Sequence, residues 1–246
     1  KCFTAIEILH LAWLAKKPVP EVLAEFKSLG LDSLTGGGAE IFRKEVRDLI
    51  ARGKETAEEY LDVHRTWHTL GGRSTCTMLF GHLETLGDRV DHMRQLRGLQ
   101  DETGGFTGFI PLPYQPDNNE IPVEHSPTGF DMLRTLAVAR LVLGARMNVQ
   151  APPNLNSDGA GAYLLAGIND WGGISPLTKD FINPEAAWPE IPRLRELTAE
   201  AGYELRERTA LYPEYIVGGW QVSDHLQARL TEMTESDGYI RPDLER

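Results

Sequence analysis

Six short apolar runs, at 2–8, 32–34, 74–80, 106–112, 147–151 and 167–173, recur along the chain with helical patterns between them. Strands alternating with helices at intervals of a few tens of residues are the pattern of βαβ units and a parallel sheet. In that architecture ligands sit at the carboxyl ends of the strands. The sequence puts there Glu7, then Gly36, Gly37 and Gly38, then His82, Leu83 and Glu84, the polar stretch 113–119, Asn154, and Asn169 with Asp170.

The intervening segments carry helical spacing. Val22, Leu23, Phe26 and Leu29 fall on one face of a helix over 21–29, and Gly30 is placed to end it. Further helices are expected over 9–15, 40–51, 56–70, 88–99, 131–143, 160–165, 190–202 and 224–235, with 204–211 a short strand or helix. Thr128 caps the one that opens at Asp131. One domain over 1–246 is expected, with barrel strands and helices in 1–143, then the last two strands and a helical cap in 147–246.

The second run stops at Ser33-Leu34-Thr35-Gly36-Gly37-Gly38-Ala39-Glu40-Ile41-Phe42. Three glycines let a backbone turn sharply and bring its N–H groups close to a ligand, and a helix starting there would add its positive dipole end. Glu40, in the first turn of the expected helix, suits that dipole. An ordinary strand-to-helix turn accounts for the same residues.

Other residues carry two readings each. His64 and His68 stand four apart on a helix, the spacing that turns two imidazoles to one metal; with no Glu after His64 and no third ligand nearby, a helix face packed over the sheet accounts for them too. Glu84 is placed to accept hydrogen bonds from a ribose or an ammonium group, or to serve the start of a helix capped by Thr85. Residues 100–105 enter a strand from its amino end and read as structural. Asn154, Asn169 and Asp170 suit polar substrates, and Asn and Asp are also turn formers.

Composition narrows the partners. The formal charge is −11, from 36 acidic and 25 basic residues, and no run of Lys or Arg tracks a phosphate backbone, so nucleic acid is not expected. No apolar stretch approaches the roughly 20 residues that span a bilayer, and a cytoplasmic protein is expected. The 2 cysteines, Cys2 and Cys76, are too few for a disulfide framework or a cysteine-held cluster and read as small hydrophobes.

From Phe3 to about Leu143 the chain resembles aminofutalosine synthase, a radical S-adenosylmethionine enzyme of menaquinone biosynthesis. The resemblance rests on Phe3-Thr4-Ala5-Ile6-Glu7-Ile8, Gly36-Gly37-Gly38-Ala39-Glu40-Ile41-Phe42, His64-Arg65-Thr66, the run from Thr77 to Thr85, and the run from Leu99 to Phe106. Thr35 stands where that pattern has proline. From Met147 onward the chain resembles the ring-closing subunit of FO synthase, the deazaflavin enzyme, through the runs Met147 to Leu155, Ala166 to Pro176, Asn183 to Ala186 and Leu211 to Tyr215.

This resemblance implies a TIM-like barrel whose first strand is followed by a Cys-x-x-x-Cys-x-x-Cys loop holding a four-iron four-sulfur cluster. The six strands here correspond to the third to eighth, so an open, partial barrel is expected. Phe3 and Ile8, or their neighbours by alternation, are then expected to be wetter than barrel-core residues, and exposed sheet edges are expected to favour a homodimer. The resemblance also implies S-adenosylmethionine as cofactor, with Glu7, Gly36, Gly37, Gly38, Glu40, His82 and Glu84 lining the nucleoside pocket and Asn154, Asn169 and Asp170 facing the substrate. A cluster needs three converging thiolates, so none is expected in this chain and radical chemistry is not expected from it alone. A non-catalytic fragment that binds a nucleoside or a partner is the competing expectation, and a metal hydrolase using His64 and His68 a more distant one.

Overall fold

β2 (Arg73–Phe80) forms the centre of a parallel sheet, with β1 (Ser33–Leu34) on one side and β3 (Phe106–Pro113) on the other. Cys76 pairs with Phe109 and Phe80 with Pro113, after a register shift between Ser74 and Thr75. Cys76, Met78, Phe80 and Phe109 are fully buried, as befits a parallel strand covered on both faces. The computed structural model describes residues 1–244 apart from Asn118, Glu124, 156–158, Gln221 and Ser223; Asn118 of the expected exit 113–119 therefore lies outside the described residues.

Three strands stand among the described residues where six were expected. The expected strand 2–8 is largely helix: α1 (Ala5–Ala15) opens on Thr4, and its buried positions Ala5, Ile8 and Ala12 follow helical spacing. Cys2 and Phe3 still lie beside β1, through Cys2 N–H to Ser33 O (3.0 Å) and Thr35 N–H to Phe3 O (3.0 Å). The runs 147–151 and 167–173 are each reduced to a single parallel bridge, Phe109 with Val149 and Gln150 with Asp170. The spatial order thus follows the chain and the sheet is open, but the ladder is continuous only through β1, β2 and β3. Phe3 is exposed, as expected, whereas Ile8 is completely buried because the helix turns it inward.

Helices lie against the sheet in chain order. α4 (Ala57–Thr69) and α5 (Leu86–Thr103) pack on β2 and α6 (Gly129–Leu143) on β3, while α1 touches α2 (Val19–Ser28) and α4. α4, α5 and α6 each begin with a capping box in which a threonine and an acid three residues on satisfy each other's amides: Thr56 with Glu59, Thr85 with Asp88, Thr128 with Asp131. The helix expected over 40–51 starts late, as α3 (Lys44–Ile50), because Glu40 is left-handed (φ 46°) and residues 41–43 are not helical. Glu40 therefore serves no helix dipole. A small helix, α7 (Ala160–Tyr163), follows α6. Gln100, inside the 100–105 stretch read as structural, holds both backbone groups of Phe106 at 2.8 and 3.1 Å.

The chain divides into two compact units, Lys1–Arg193 and Leu194–Arg246. The second holds most of α8 (Ile191–Glu200), then α9 (Pro213–Val217) and α10 (Asp224–Met233). Within it Arg206 lies over the Tyr239 ring and pairs with Glu235 (3.3 Å) and Asp237 (2.5 Å), and Thr234 and Ile240 form an antiparallel bridge. The expected element 204–211 is neither strand nor helix. Among the described residues no helix is long and apolar enough to cross a membrane.

The capping boxes make a direct stability prediction. Replacing the α5 cap, Thr85→Ala, leaves the Asp88 amide without its side-chain acceptor and is expected to cost about 1 kcal/mol, with Thr85→Ser recovering most of it. Urea unfolding of the three proteins checks this; an unchanged midpoint for Thr85→Ala would remove the box from the account.

Candidate functional site

The glycine joint after β1 is a turn at Gly37-Gly38, and the carbonyls of Gly36 and Gly38 on either side of Gly37 accept from protein groups. Gly36 O accepts from Tyr60 Oη (2.9 Å) and Thr77 Oγ1 (2.6 Å), and Gly36 N–H donates to Thr75 Oγ1 (3.0 Å). A Cβ on Gly36 would stand 2.5 Å from the Cys76 Cα, so only glycine lets the loop lie against β2. Gly38 has φ 91° and Glu40 φ 46°. Glu40 O accepts from Leu79 N–H (2.9 Å), tying the loop to the exit of β2, and Gly37 stands beside Thr4.

Arg47 and Glu55 complete the underside of this loop, and neither was anticipated. Arg47, buried on α3, donates to Ala39 O (2.6 Å), Gly38 O (2.9 Å) and Glu55 O (2.6 Å). The Glu55 carboxylate has no accessible side-chain surface, lies 3.6 Å from Arg47 Nη2, and has no hydrogen-bond partner in another of the described residues. Burial raises its pKa, its own backbone N–H, Arg47 and Lys54 pull the other way, and Glu40 adds to the rise. In sequence Glu55 merges with the acidic start of α4, so nothing separated it from a solvated helix terminus.

The exit of β2 is a second closed turn. Glu84 accepts from Gly81 N–H (2.6 Å), His82 N–H (2.9 Å) and Arg89 Nε (2.7 Å), and both the His82 and Glu84 side chains are buried. His82 Nε2 donates to Leu79 O (3.0 Å) and Nδ1 accepts from Leu83 N–H (2.7 Å), which fixes one neutral tautomer. Burial lowers the His82 pKa despite Glu84, whose Oε2 lies 3.0 Å from Nδ1. Thr85, not Glu84, starts α5. Arg89, which also reaches Thr135 (3.1 Å) and covers the Phe80 ring, is the partner that sequence reading missed.

The other anticipated residues have structural partners. Glu7 accepts from Thr4 N–H (2.7 Å) and Oγ1 (2.8 Å) at the start of α1, which lowers its pKa. Asn169 Oδ1 accepts from Val149 N–H (2.9 Å), and its amide donates to Asn148 (2.6 Å), level with Cys76 in the middle of β2. Asp170 accepts from Gly172 N–H (3.1 Å). Asn154 donates to Asp180 (3.0 Å) and Ala186 O (3.2 Å), and its buried Oδ1 has no partner among the described residues. His64 and His68 both turn to Ser74 Oγ, at 2.8 Å each, near the opposite end of β2 from His82, and burial lowers both pKa values to about 3.

No family model matches the chain. Among curated proteins, aminodeoxyfutalosine synthase of Thermus thermophilus is 54% identical over 147 residues, 58% of this chain and 40% of the relative. 7,8-Didemethyl-8-hydroxy-5-deazariboflavin synthase of Methanopyrus kandleri is 39% identical over 186 residues, 75% of this chain and 55% of the relative. Cyclic dehypoxanthine futalosine synthase of Streptomyces coelicolor is 33% identical over 247 residues, 98% of this chain and 62% of the relative. Over 58 to 98% of its length the chain is thus similar to synthases of the aminofutalosine and FO family. It spans between 40 and 62% of the length of these three relatives.

This family is of the radical S-adenosylmethionine type, which uses an iron–sulfur cluster, and the residues present do not fit that group. Cys76 is buried in β2 beside Gly108 O (3.6 Å), with its thiol pKa pushed up by burial, while Cys2 is exposed. Among the described residues no three His, Cys, Asp or Glu side chains converge as metal ligands. This stretch of the family fold therefore supplies no cysteine loop, and no reaction step is routed through a cluster here.

Glu55 gives a pH dependence with a definite sign. A carboxyl whose pKa is raised on folding contributes stability that is full below its unfolded value, near 4.5, and lost as pH rises through the folded value. The melting temperature of Glu55→Gln minus that of the wild type should accordingly grow between pH 4.5 and 8. The lowered pKa values of Glu7, Asp88 and Asp131 act oppositely, being lost only as pH falls below the ordinary carboxylate range. A difference that stays flat across pH 4.5 to 8 would mean that Glu55 ionises freely in the folded chain.

Proposed function

We propose that this chain forms the nucleoside-facing and substrate-facing part of a radical S-adenosylmethionine synthase that makes a C–C bond in futalosine (menaquinone) or deazaflavin biosynthesis. The observation that carries the reading is the junction of two strand exits. Leu79 N–H donates to Glu40 O, so the glycine turn after β1 and the His82–Glu84 turn after β2 share one end of the sheet. The names of the relatives supply the pathways.

The residues would divide the work by position. The turn at Gly37-Gly38 offers backbone amides to a nucleoside, while Tyr60, Thr77 and Arg47 hold its carbonyls away from the ligand. His82 and Glu84, locked by Arg89 and their own backbone, give the wall beside it a fixed shape. S-adenosylmethionine would bring the reactive group, and the protein would orient its partners and exclude water. A second reading, a nucleoside-binding or partner module without catalysis, is favoured by the wide sequence separation of Cys2 from the buried Cys76.

Two measurements separate these readings. Calorimetry with S-adenosylmethionine and with adenosine should show saturable binding that Gly36→Ala weakens by roughly tenfold or more, about 1.4 kcal/mol. No binding of either compound by a folded wild-type chain would sink the synthase reading and leave only a partner module. Anaerobic treatment with iron and sulfide should leave the chain colourless, and S-adenosylmethionine with dithionite should yield no deoxyadenosine. A cluster of about four irons per chain would overturn the non-catalytic reading.

We also propose a homodimer through the open sheet edge at Cys2 and Phe3, where Phe3 is 37% exposed. Light scattering after size exclusion should give twice the chain mass; a concentration-independent monomer would dismiss it.

A further inference from the structure

We propose that the turn at residues 37–40 is an oxyanion cradle that takes a carboxylate or phosphate group on its backbone amides, and that the charge of Glu55 beneath sets its affinity. The inference depends on the proposed function only in taking this end of the sheet as the ligand-facing one. Three observations support it independently.

Hydrogen bonding in the turn falls mostly on its carbonyls. Those of Gly36, Gly38, Ala39 and Glu40 accept from protein groups, whereas the Gly37 carbonyl and the amides of Gly37, Gly38 and Glu40 pair with no group among the described residues. These three residues are half-buried, so their amides are within reach of a ligand yet partly shielded from water. Gly38 and Glu40 both have positive φ, the left-handed backbone conformation that takes part in anion-binding concavities.

The second observation is Glu55. A fully buried carboxyl with two unpartnered oxygens is an unfinished arrangement, and it is aimed at this turn: Glu55 Oε1 lies 2.8 Å from where a Gly38 Cβ would be. The third is the charge around it. Arg47 of α3 faces Glu55 at 3.6 Å, Lys54 and Glu40 form an ion pair at 3.0 Å above, and the Tyr60 hydroxyl comes from α4. With Glu55 uncharged the two cations exceed the single carboxylate and the turn attracts an anion. Once Glu55 is ionised the excess disappears. One added charge at several ångströms in a medium of intermediate dielectric changes anion affinity by roughly tenfold.

The test uses the full chain with 15N-labelled glycine, followed by amide resonances at constant ionic strength. Acetate and inorganic phosphate are titrated in separate arms at pH 5, and acetate again at steps to pH 8.5, with its affinity referred to the ionised form. Saturable shifts are expected at Gly37 and Gly38 and not at Gly98 on α5, with acetate affinity falling roughly tenfold across the series. Glu55→Gln should bind acetate with no such fall; the wild-type series decides alone if circular dichroism shows that variant unfolded. Tighter acetate assigns a carboxylate ligand and tighter phosphate a phosphoryl one. Equal shifts at Gly98, no saturation with either anion, or the same pH slope in a folded Glu55→Gln would overturn the proposal. An adenosine arm keeps the two readings apart: adenosine shifts without anion shifts would uphold the nucleoside site and reject the cradle, and anion shifts alone would do the reverse.

Discussion

Burial of β2, paired with β3 from Ser74 to Phe80 and with β1 at Arg73 and Ser74, is the constraint on which the first unit depends. Its neighbours are parallel to it, so each is reached by a crossover. α4 and α5 provide those crossovers and close over β2. The polar side chains of the strand are consequently bonded inward: Ser74 to His64 and His68, and Thr75 and Thr77 to Gly36. The glycine joint is therefore fixed in place by the same strand whose far end carries the His82–Glu84 turn.

The chain order of the sheet was legible because it follows from alternating apolar runs and helical periods. What the runs did not reveal was where backbone pairing would give way to side chains. At Val149 the amide is taken by Asn169 Oδ1, and Asn148 Nδ2 reaches Thr107 O, so side-chain amides occupy places a longer ladder would use. Pro152 and Pro153 then remove two donors immediately after Ala151. At the other end, residues 2–8 are rich in β-formers, but Thr4 and Glu7 satisfy the first turn of a helix and Ile8 gains full burial in it. Tertiary packing overrode strand propensity there.

For the site, position along the sequence was legible and partnership was not. Glycines at 36–38 and the His-Leu-Glu turn could be placed at strand ends from the pattern alone. That Glu84 is held by Arg89, or that Arg47 binds two carbonyls of the glycine turn, depends on contacts between elements that no local spacing encodes. His64 and His68 show the converse: i, i+4 spacing correctly put both rings on one face, and that face met a serine hydroxyl.

The arrangement of Arg47 and Glu55 explains why the glycine turn can be both strained and stable. Left-handed Glu40 and the close approach at Gly36 each cost conformational freedom, and they persist only where neighbours over-determine them. Arg47 does so with three carbonyl bonds from one rigid guanidinium fork. That leaves its positive charge buried with a carboxyl too far for a hydrogen bond. Nη2 has a second N–H beside the one given to Gly38 O, so an ionised Glu55 would pull on the same nitrogen that holds the turn. The loop that would contact a ligand is thus coupled, through a single arginine, to the protonation of a residue that no ligand needs to touch.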